Sequence, residues 1–215
     1  TMAKAVFFDL DGTLADTKAD LCATVNHTRR DLGLAERPEE EIIIHIGLGA
    51  RHLLANAIPE RAGEIEDLWR IFMSHYGEHA TQLVTLYPGV METLETLAGR
   101  GWLLGVNTAK PAFATHAVLE HLGIKKFFGS AIVAGGDCPE MKPSALPLKM
   151  CAEKMGHTLT PDDWMVGDNW TDVECANNAG VKSAFCEFGI GILKGAECSV
   201  KIDSFTELAT IVNKF

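Results

Sequence analysis

The chain has 215 residues, 47% of them hydrophobic, which is enough for one average domain with an insertion or for two small domains. Its formal net charge of −10 argues against non-specific binding to nucleic acids or acidic membranes, which requires a basic surface. The six cysteines show no Cys-x-x-Cys pair and no zinc spacing. The first residues have the pattern of a strand rather than a signal peptide, and no apolar run is long enough to span a bilayer. These features predict a cytoplasmic protein with reduced thiols.

The first predicted element is a buried strand over residues 4–9, "KAVFFD", followed by the turn "DGTLADT". Its apolar residues are continuous rather than alternating, as in a parallel sheet that is covered on both faces. From residue 17 to about residue 80 the pattern becomes helical. About four helices follow one another with no credible strand between them, which predicts a helical domain inserted after the first strand.

After "LYPGV" the pattern changes, and strands alternate with helices. Such alternation predicts βαβ units with right-handed crossovers and a parallel sheet. The predicted fold class is therefore α/β, with a doubly wound, mainly parallel, Rossmann-like sheet. We assign residues 1–16 and 84–215 to this core and residues 17–83 to the inserted helical domain. The predicted strands of the second part are "WLLGVNT", "SAIVAG", "DWMVGD", "VKSAFCEF" and "CSVKI".

Polar residues follow four of the predicted strands. Because the carboxyl ends of parallel strands meet along one edge of an open sheet, these residues should share one crevice. Clustered carboxylates repel one another unless they are protonated or bound to a cation, and a few hard oxygen ligands suit Mg²⁺. The residues are Asp9 and Asp11, Asn107 to Lys110, Lys142, and Asp168 with Asp172.

This set of residues predicts phosphoryl transfer. Asp9 can attack phosphorus as a nucleophile, and Asp11 can protonate the leaving oxygen and later activate water. Thr108 and Lys142 can bind the remaining phosphate oxygens, and a metal ion can offset the charge of the phosphoryl group. Two carboxylates at the end of a strand are then tolerable, because a metal ion and a phosphate lie between them.

Four segments resemble, in order, the four motifs of the haloacid dehalogenase-like phosphohydrolase superfamily. They are "DLDGTLADT", "VNTAK", "MKPS" and "VGDNWTDVECANNAG". The insertion resembles the helical C1-type cap of the phosphoglycolate phosphatase branch. Within it, "EIIIHIGLGARHLL" resembles the substrate-specificity loop of that cap, which makes Gly47, Gly49 and Arg51 candidates for substrate selection.

The resemblance implies a role for each residue that matches a motif. Asp9 would be the nucleophile, and Asp11 would be the acid/base and lend its backbone carbonyl to the metal. The implied phosphate-binding residues are Thr108, Ala109 and Lys142, and the implied Mg²⁺ residues are Asp9, Asp11, Asp168 and Asp172. The sequence departs from the branch in two places: Thr108-Ala109-Lys110 stands where T-N-K is usual, and Lys142-Pro143-Ser144-Ala145 where K-P-x-P is usual.

Simpler interpretations exist for several of these residues. Asp9 and Asp11 could form an Asx-turn, and Asp172 could only stabilise a helix dipole. Lys110 and Arg51 could be solvated. Six of the histidines show no metal spacing in the sequence and receive no role: His27, His75, His79, His116, His121 and His157.

The predicted function is Mg²⁺-dependent hydrolysis of a small phosphorylated metabolite through an aspartyl-phosphate, with phosphoglycolate as the leading substrate. The alternatives are a phosphomutase of the β-phosphoglucomutase type, a pyrophosphatase or nucleotidase on the same core, and a non-catalytic phosphoprotein-binding module. A dehalogenase would not need Asp11 or a metal cluster. We expect a monomer or homodimer that binds neither nucleic acid nor membranes.

Overall fold

The structure is a computed structural model, and it describes residues 4–214. Within these residues the strands form one six-stranded sheet and one two-stranded ribbon. The strands are β1 (Ala5–Phe8), β2 (Ala15–Asp16), β3 (Thr85–Leu86), β4 (Leu103–Pro111), β5 (Ile132–Gly135), β6 (Trp164–Gly167), β7 (Lys182–Cys186) and β8 (Val200–Ile202).

The six-stranded sheet is parallel throughout and has the order β5-β4-β1-β6-β7-β8. Strand β1 lies in its middle, where Phe8 is in register with Val106 of β4 and Val166 of β6. The order runs outward in both directions from β1, so that crossover connections must cover both faces. The predicted α/β, doubly wound fold is therefore confirmed.

Helices pack on both faces of the sheet because the strand residues alternate between two apolar clusters. Val6 and Phe8 join the cluster on one face, and Phe7 joins the cluster on the other. The helices are α1 (Lys18–Asp31), α2 (Glu39–Ile43), α3 (Ala50–Ala57), α4 (Ile65–His79), α5 (Val90–Gly99), α6 (Ala112–His121), α7 (Leu146–Lys154), α8 (Trp170–Ala179) and α9 (Leu208–Lys214).

Helices α1 to α4, here called the cap, pack around a second apolar cluster that includes Val25, Leu54 and Phe72 and also Ala114 of α6. Residues 59–79 do not form one continuous helix. The segment Pro59–Glu64 is a 3₁₀ helix with a non-helical backbone at Arg61, and α4 begins only at Ile65. The cap therefore consists of short helices packed on two longer ones, α1 and α4.

The chain leaves the core for the cap and returns to the core through paired segments. Ala15 of β2 is in register with Leu86 of β3, and the two strands run antiparallel. Asp20, at the start of α1, also accepts hydrogen bonds from the backbone N–H groups of Leu83 and Val84. The two connections are thus held together at the base of the cap.

No helix within residues 4–214 combines the length and the apolar character that a membrane span requires.

Candidate active site

The polar residues that follow β1, β4 and β6 lie at one edge of the sheet. Asp9 and Asp168 each follow directly on a strand, and Thr108 lies in the second half of β4. Since β1 pairs with both β4 and β6, the three strand ends are adjacent. This is the crevice in which open α/β sheets bind their ligands.

Three buried carboxylates form the centre of the crevice. Asp9, Asp168 and Asp172 each offer an oxygen, and these oxygens lie within 4.8 Å of one another. Lys142 reaches the same group from the connection after β5, with its Nζ 3.1 Å from Oδ2 of Asp9 and 2.5 Å from Oδ1 of Asp172. The same ammonium donates to the backbone carbonyl of Asn107 at 3.0 Å. Lys142 thus connects β4 to two of the carboxylates.

Backbone and hydroxyl groups fix Asp168. Its Oδ2 accepts hydrogen bonds from the backbone N–H groups of Ile190 at 2.7 Å and Gly191 at 2.8 Å. Its Oδ1 accepts a bond from the hydroxyl of Thr13 at 3.3 Å. The sequence did not reveal Ile190 and Gly191 as part of the site, because backbone donors carry no side-chain signal.

Asp172 has two tasks at once. Its Oδ2 accepts a bond from the backbone N–H of Asn169 at 3.0 Å, as part of a capping box at the start of α8. Its Oδ1 contacts Lys142. Oδ2 of Asp172 thus stabilises the start of α8, and Oδ1 takes part in the carboxylate cluster.

Burial shifts the pKa values of this cluster. Desolvation, with repulsion from Asp172 and Asp11, raises the pKa of Asp9 to about 7, although Lys142 and the Leu10 N–H act in the opposite direction. Desolvation and the charge of Asp9 raise the pKa of Asp168 to about 6. Burial by itself would lower the pKa of Lys142, but Asp172 and Asp9 outweigh it and raise that pKa, so the ammonium stays charged.

These residues fit a divalent cation. Three carboxylates face one ammonium, which leaves two negative charges uncompensated in a buried space. Desolvation, followed by this repulsion between carboxylates, raises the pKa values of Asp9 and Asp168. All three side chains offer hard oxygen atoms, the ligand type that Mg²⁺ prefers.

Lys110 is buried, which corrects the interpretation of this lysine as solvated. Only 3% of the residue is exposed, and its Nζ lies 2.9 Å from Oδ1 of Asp11. The ammonium also contacts the hydroxyl of Tyr76, a residue of cap helix α4. Asp11 and Tyr76 raise the pKa of Lys110 against the opposing effect of burial, which is the larger single influence. A cap residue, a core lysine and Asp11 are therefore joined in one chain of contacts.

Asp9, Asp11, Thr108 and Ala109 line one small cavity. The pairing of β4 with β5 is irregular between Asn107 and Pro111, a local break of the kind that re-aims residues at the edge of a sheet. Cap residues line the other side of this partly open cavity, which has a volume of about 30 Å³. Because a water molecule needs at least roughly 10–15 Å³ measured in this way, the cavity holds about two water molecules.

Gly47 and Gly49 lie where the cap touches the core. Both have positive φ angles, 104° and 90°, which residues other than glycine rarely adopt. A Cβ atom on Gly47 would lie 2.8 Å from Nδ2 of Asn169, and one on Gly49 would lie 2.9 Å from Cε of Met141. The two glycines allow the loop between α2 and α3 to approach the strand ends.

Arg51 points elsewhere in this structure. Its guanidinium pairs with the carboxylate of Glu66 through both terminal nitrogens and stacks 4.8 Å from the ring centroid of Trp69. It lines a neighbouring cavity of about 280 Å³ at the boundary of cap and core rather than the cavity in front of Asp9. A role in substrate selection stays a prediction for this residue.

A family model and the sequences of related proteins place this chain in the same family. The family model described as "Haloacid dehalogenase-like hydrolase" matches residues 6–186. A phosphoglycolate phosphatase of Chromobacterium violaceum is 37% identical over 212 residues, covering 95% of this chain and 94% of that protein. A phosphoglycolate phosphatase of Pasteurella multocida is 33% identical and covers 99% of both chains.

The fold agrees with these relatives. The crystal structure of a protein described as a predicted phosphoglycolate phosphatase, from Haemophilus somnus, superimposes with a TM-score of 0.89 at 30% identity and covers 98% of both chains. The resemblance read from the four motifs is therefore confirmed. The chain belongs to the haloacid dehalogenase-like hydrolase family and is a phosphatase of that family.

Proposed function

We propose that this phosphatase hydrolyses a small phosphate monoester through an aspartyl-phosphate on Asp9, with Mg²⁺ as the cofactor. The observation that carries the proposal is the buried cluster of Asp9, Asp168, Asp172 and Lys142 beside a cavity that Asp11 also lines. The relatives named phosphoglycolate phosphatase make phosphoglycolate the leading substrate.

In the first step, a carboxylate oxygen of Asp9 forms a bond to phosphorus, and the bond from phosphorus to the leaving oxygen breaks. Asp11 gives its proton to that oxygen, so that the alcohol leaves neutral. Lys142, 3.1 Å from Oδ2 of Asp9, favours the ionised nucleophile and holds the carboxylate in one orientation. The Leu10 N–H, which donates to Oδ1 of Asp9 at 2.7 Å, fixes the other oxygen.

In the second step, water attacks the phosphorus of the aspartyl-phosphate and the bond to Asp9 breaks. Asp11 accepts the proton of that water and returns to its starting state, and inorganic phosphate leaves. Lys110 holds Oδ1 of Asp11 at 2.9 Å, which keeps the acid/base beside the cavity between the two steps.

Phosphate binding falls to groups on β4 and to Lys142. Thr108 offers its hydroxyl, Ala109 its backbone N–H, and Lys142 an ammonium that stays charged. Replacing the usual Asn by Ala109 leaves the backbone donor in place. Asp9, Asp168 and Asp172 would hold Mg²⁺ together with the backbone carbonyl of Asp11. When bound, the ion would offset the negative charge of the transferring phosphoryl group.

The cap argues for a small substrate. Ile46, Ala50 and Leu53 from the cap meet the strand ends around a cavity of about 30 Å³. Movement of the cap away from the core would widen this space for a substrate, and closure around the substrate would exclude bulk water. A compound of few atoms beyond its phosphate fits such a space better than a nucleotide does.

The test is the release of inorganic phosphate from phosphoglycolate, pyrophosphate, nucleoside monophosphates and hexose phosphates. We expect Mg²⁺-dependent release from phosphoglycolate, its loss in EDTA, and a fall of at least about 1,000-fold in the variant Asp9→Asn. Asp162→Asn makes the same chemical change at an exposed carboxylate outside the site and should leave the rate unchanged. Circular dichroism spectra of both variants show whether the fold is kept.

Each alternative gives a different result in this test. Conversion of a hexose phosphate to its isomer without free phosphate would replace the proposal by a phosphomutase. Faster turnover of pyrophosphate or a nucleotide would keep the mechanism and change the substrate. If the folded protein with Mg²⁺ releases phosphate from none of these compounds, the proposed hydrolysis is wrong.

A further inference from the structure

Three histidines of the cap lie together outside the active site. His27 is on α1, and His75 and His79 are one helical turn apart on α4. One ring nitrogen of each lies within 4.8 Å of the others. The cluster is not visible in the sequence, because His27 is far from the other two histidines along the chain. Only the packing of α1 on α4 brings the three together.

The rings of His75 and His79 are nearly parallel, with an interplanar angle of 22° and 6.4 Å between centroids, and the ring of His27 stands across both. The ring of His27 meets that of His79 edge to face at 4.6 Å between centroids, and that of His75 at 5.4 Å. All three are partly exposed, so a dissolved ion can reach them. The helices that carry them are 14 and 15 residues long and pack against each other, which makes them rigid supports.

A carboxylate supports the cluster from the side. Oδ2 of Asp31, one turn after His27 on α1, lies 2.7 Å from Nε2 of His75. Metal-binding histidines commonly give their second ring nitrogen to such a carboxylate, which fixes the orientation of the ring. Arg30, whose charge acts on His27, is itself paired with Glu36 at 2.7 Å.

Imidazole nitrogens are a ligand type that transition-metal ions prefer. Partial burial, with the charges of Arg30, His79 and His75, lowers the pKa of His27. A neutral imidazole offers a lone pair to a metal, and three of them suit Zn²⁺ and related transition-metal ions but not Mg²⁺. Ligands of a tetrahedral Zn²⁺ lie about 3.4 Å apart at the usual Zn–N distance, so small side-chain rotations suffice.

We propose that His27, His75 and His79 form a second metal site, which binds Zn²⁺ or another imidazole-preferring divalent transition-metal ion and links α1 to α4. With three protein ligands the ion keeps a fourth position for water. The site is separate from the carboxylate cluster in ligand type, and it does not depend on the proposed phosphatase mechanism.

The test is calorimetric titration of the whole protein with Zn²⁺ after EDTA treatment, in the presence of excess Mg²⁺ to occupy the carboxylates. We expect one Zn²⁺ per chain at the cap. His27→Gln, His75→Gln and His79→Gln should each weaken that binding by at least about tenfold. The matched controls are His45→Gln and His52→Gln, which change another pair of cap histidines with ring centroids 6.3 Å apart and should leave binding unchanged.

NMR spectra of the unaltered protein keep the test independent of whether the variants fold. Zn²⁺ should shift the ring signals of His27, His75 and His79, and not those of His45 and His52. The proposal is wrong if Zn²⁺ shifts none of the three, if all five variants bind equally, or if binding disappears only in Asp168→Asn, which would place the ion at the carboxylates.

Discussion

The core and the cap keep their charged groups in different places. In the core, Lys142, Lys110 and three carboxylates are buried side by side at the strand ends. In the cap, the interior is mainly apolar, and the buried Arg29 is paired with a carboxylate at the rim, that of Glu60, whose side chain is 39% exposed. Burying a charge costs free energy that pairing only partly returns. Buried charges are therefore typical of sites where the charges take part in chemistry. In this protein the buried charges mark the strand ends of the core, and the mainly apolar interior marks the cap.

The largest effect in this comparison should come from Lys142→Met, which removes a buried charge but keeps a long side chain. We expect kcat for phosphate release to fall about 100–1,000-fold, because the phosphoryl group and Asp9 lose their common cation. Stability should also fall by about 3–5 kcal/mol, since Asp9 and Asp172 remain buried without their partner. Steady-state kinetics and urea unfolding measure the two effects. Lys149→Met, at an exposed position of α7, is the control, and equal behaviour of the two variants would contradict the comparison.

A smaller effect is expected where the two regions meet, in Tyr76→Phe. The change removes only the hydroxyl that contacts Lys110, which in turn holds Asp11. We expect kcat to fall by about tenfold, as for loss of one hydrogen bond to a charged group, with little change in the folded structure. The measurement is kcat and KM on the substrate found above.

Tyr87→Phe is the matched control for that variant. The hydroxyl of Tyr87 is buried and has no hydrogen-bond partner among residues 4–214, so its removal should leave kcat unchanged. An unchanged kcat in Tyr76→Phe as well would mean that the cap does not act on Asp11 through Lys110.

The smallest effect is expected within the cap, in Glu60→Gln. Glu60 receives two bonds from the buried Arg29, at 2.9 and 3.1 Å, and these bonds lower the pKa of Glu60 to about 2. Its folded pKa thus lies below the unfolded one, so the stabilisation is present above about pH 4.5 and is lost as the pH falls toward 2. We expect Tm to fall by about 2–4 °C at neutral pH, with kcat unchanged.

Thermal unfolding at pH 7 and at pH 3.5 checks both the size and the sign of this effect. The difference between Glu60→Gln and the unaltered protein should shrink at the lower pH. Glu64→Gln removes an ion pair to Arg61 between two exposed side chains and is the control with the weaker effect. A difference that grows at low pH, or a lost kcat, would contradict a purely stabilising role for the cap ion pairs.

The proximity of the polar residues at the core site could be predicted from the sequence, because these residues follow strands. Asp9, Thr108 and Asp168 come at the end of apolar runs, and the topology of a parallel sheet then brings them together. Their order along the chain also matched a family pattern. Both sources of information are local, so neither required knowledge of how the helices pack.

The contacts of the cap were not predictable in the same way. Tyr76 occupies an apolar position of α4, where the sequence pattern indicates a core residue, and this is true of its ring but not of its hydroxyl. Its meeting with Lys110 depends on how the cap docks on the sheet. The cluster of His27 with His75 likewise depends on packing between helices far apart in sequence, and the N–H donors of Ile190 and Gly191 leave no trace in side-chain chemistry.

The ribbon of β2 and β3 has a consequence for exchanging parts of this protein. Ala15 and Leu86 face each other across an antiparallel pair, so the two ends of the inserted segment are only about 5 Å apart. Any foreign domain whose own termini lie side by side could be spliced in at this point without altering the spacing of the sheet. Exchange of the inserted segment at this junction would give a recombinant protein a different cap and therefore a different substrate specificity. The residues at the strand ends of the core would keep their positions.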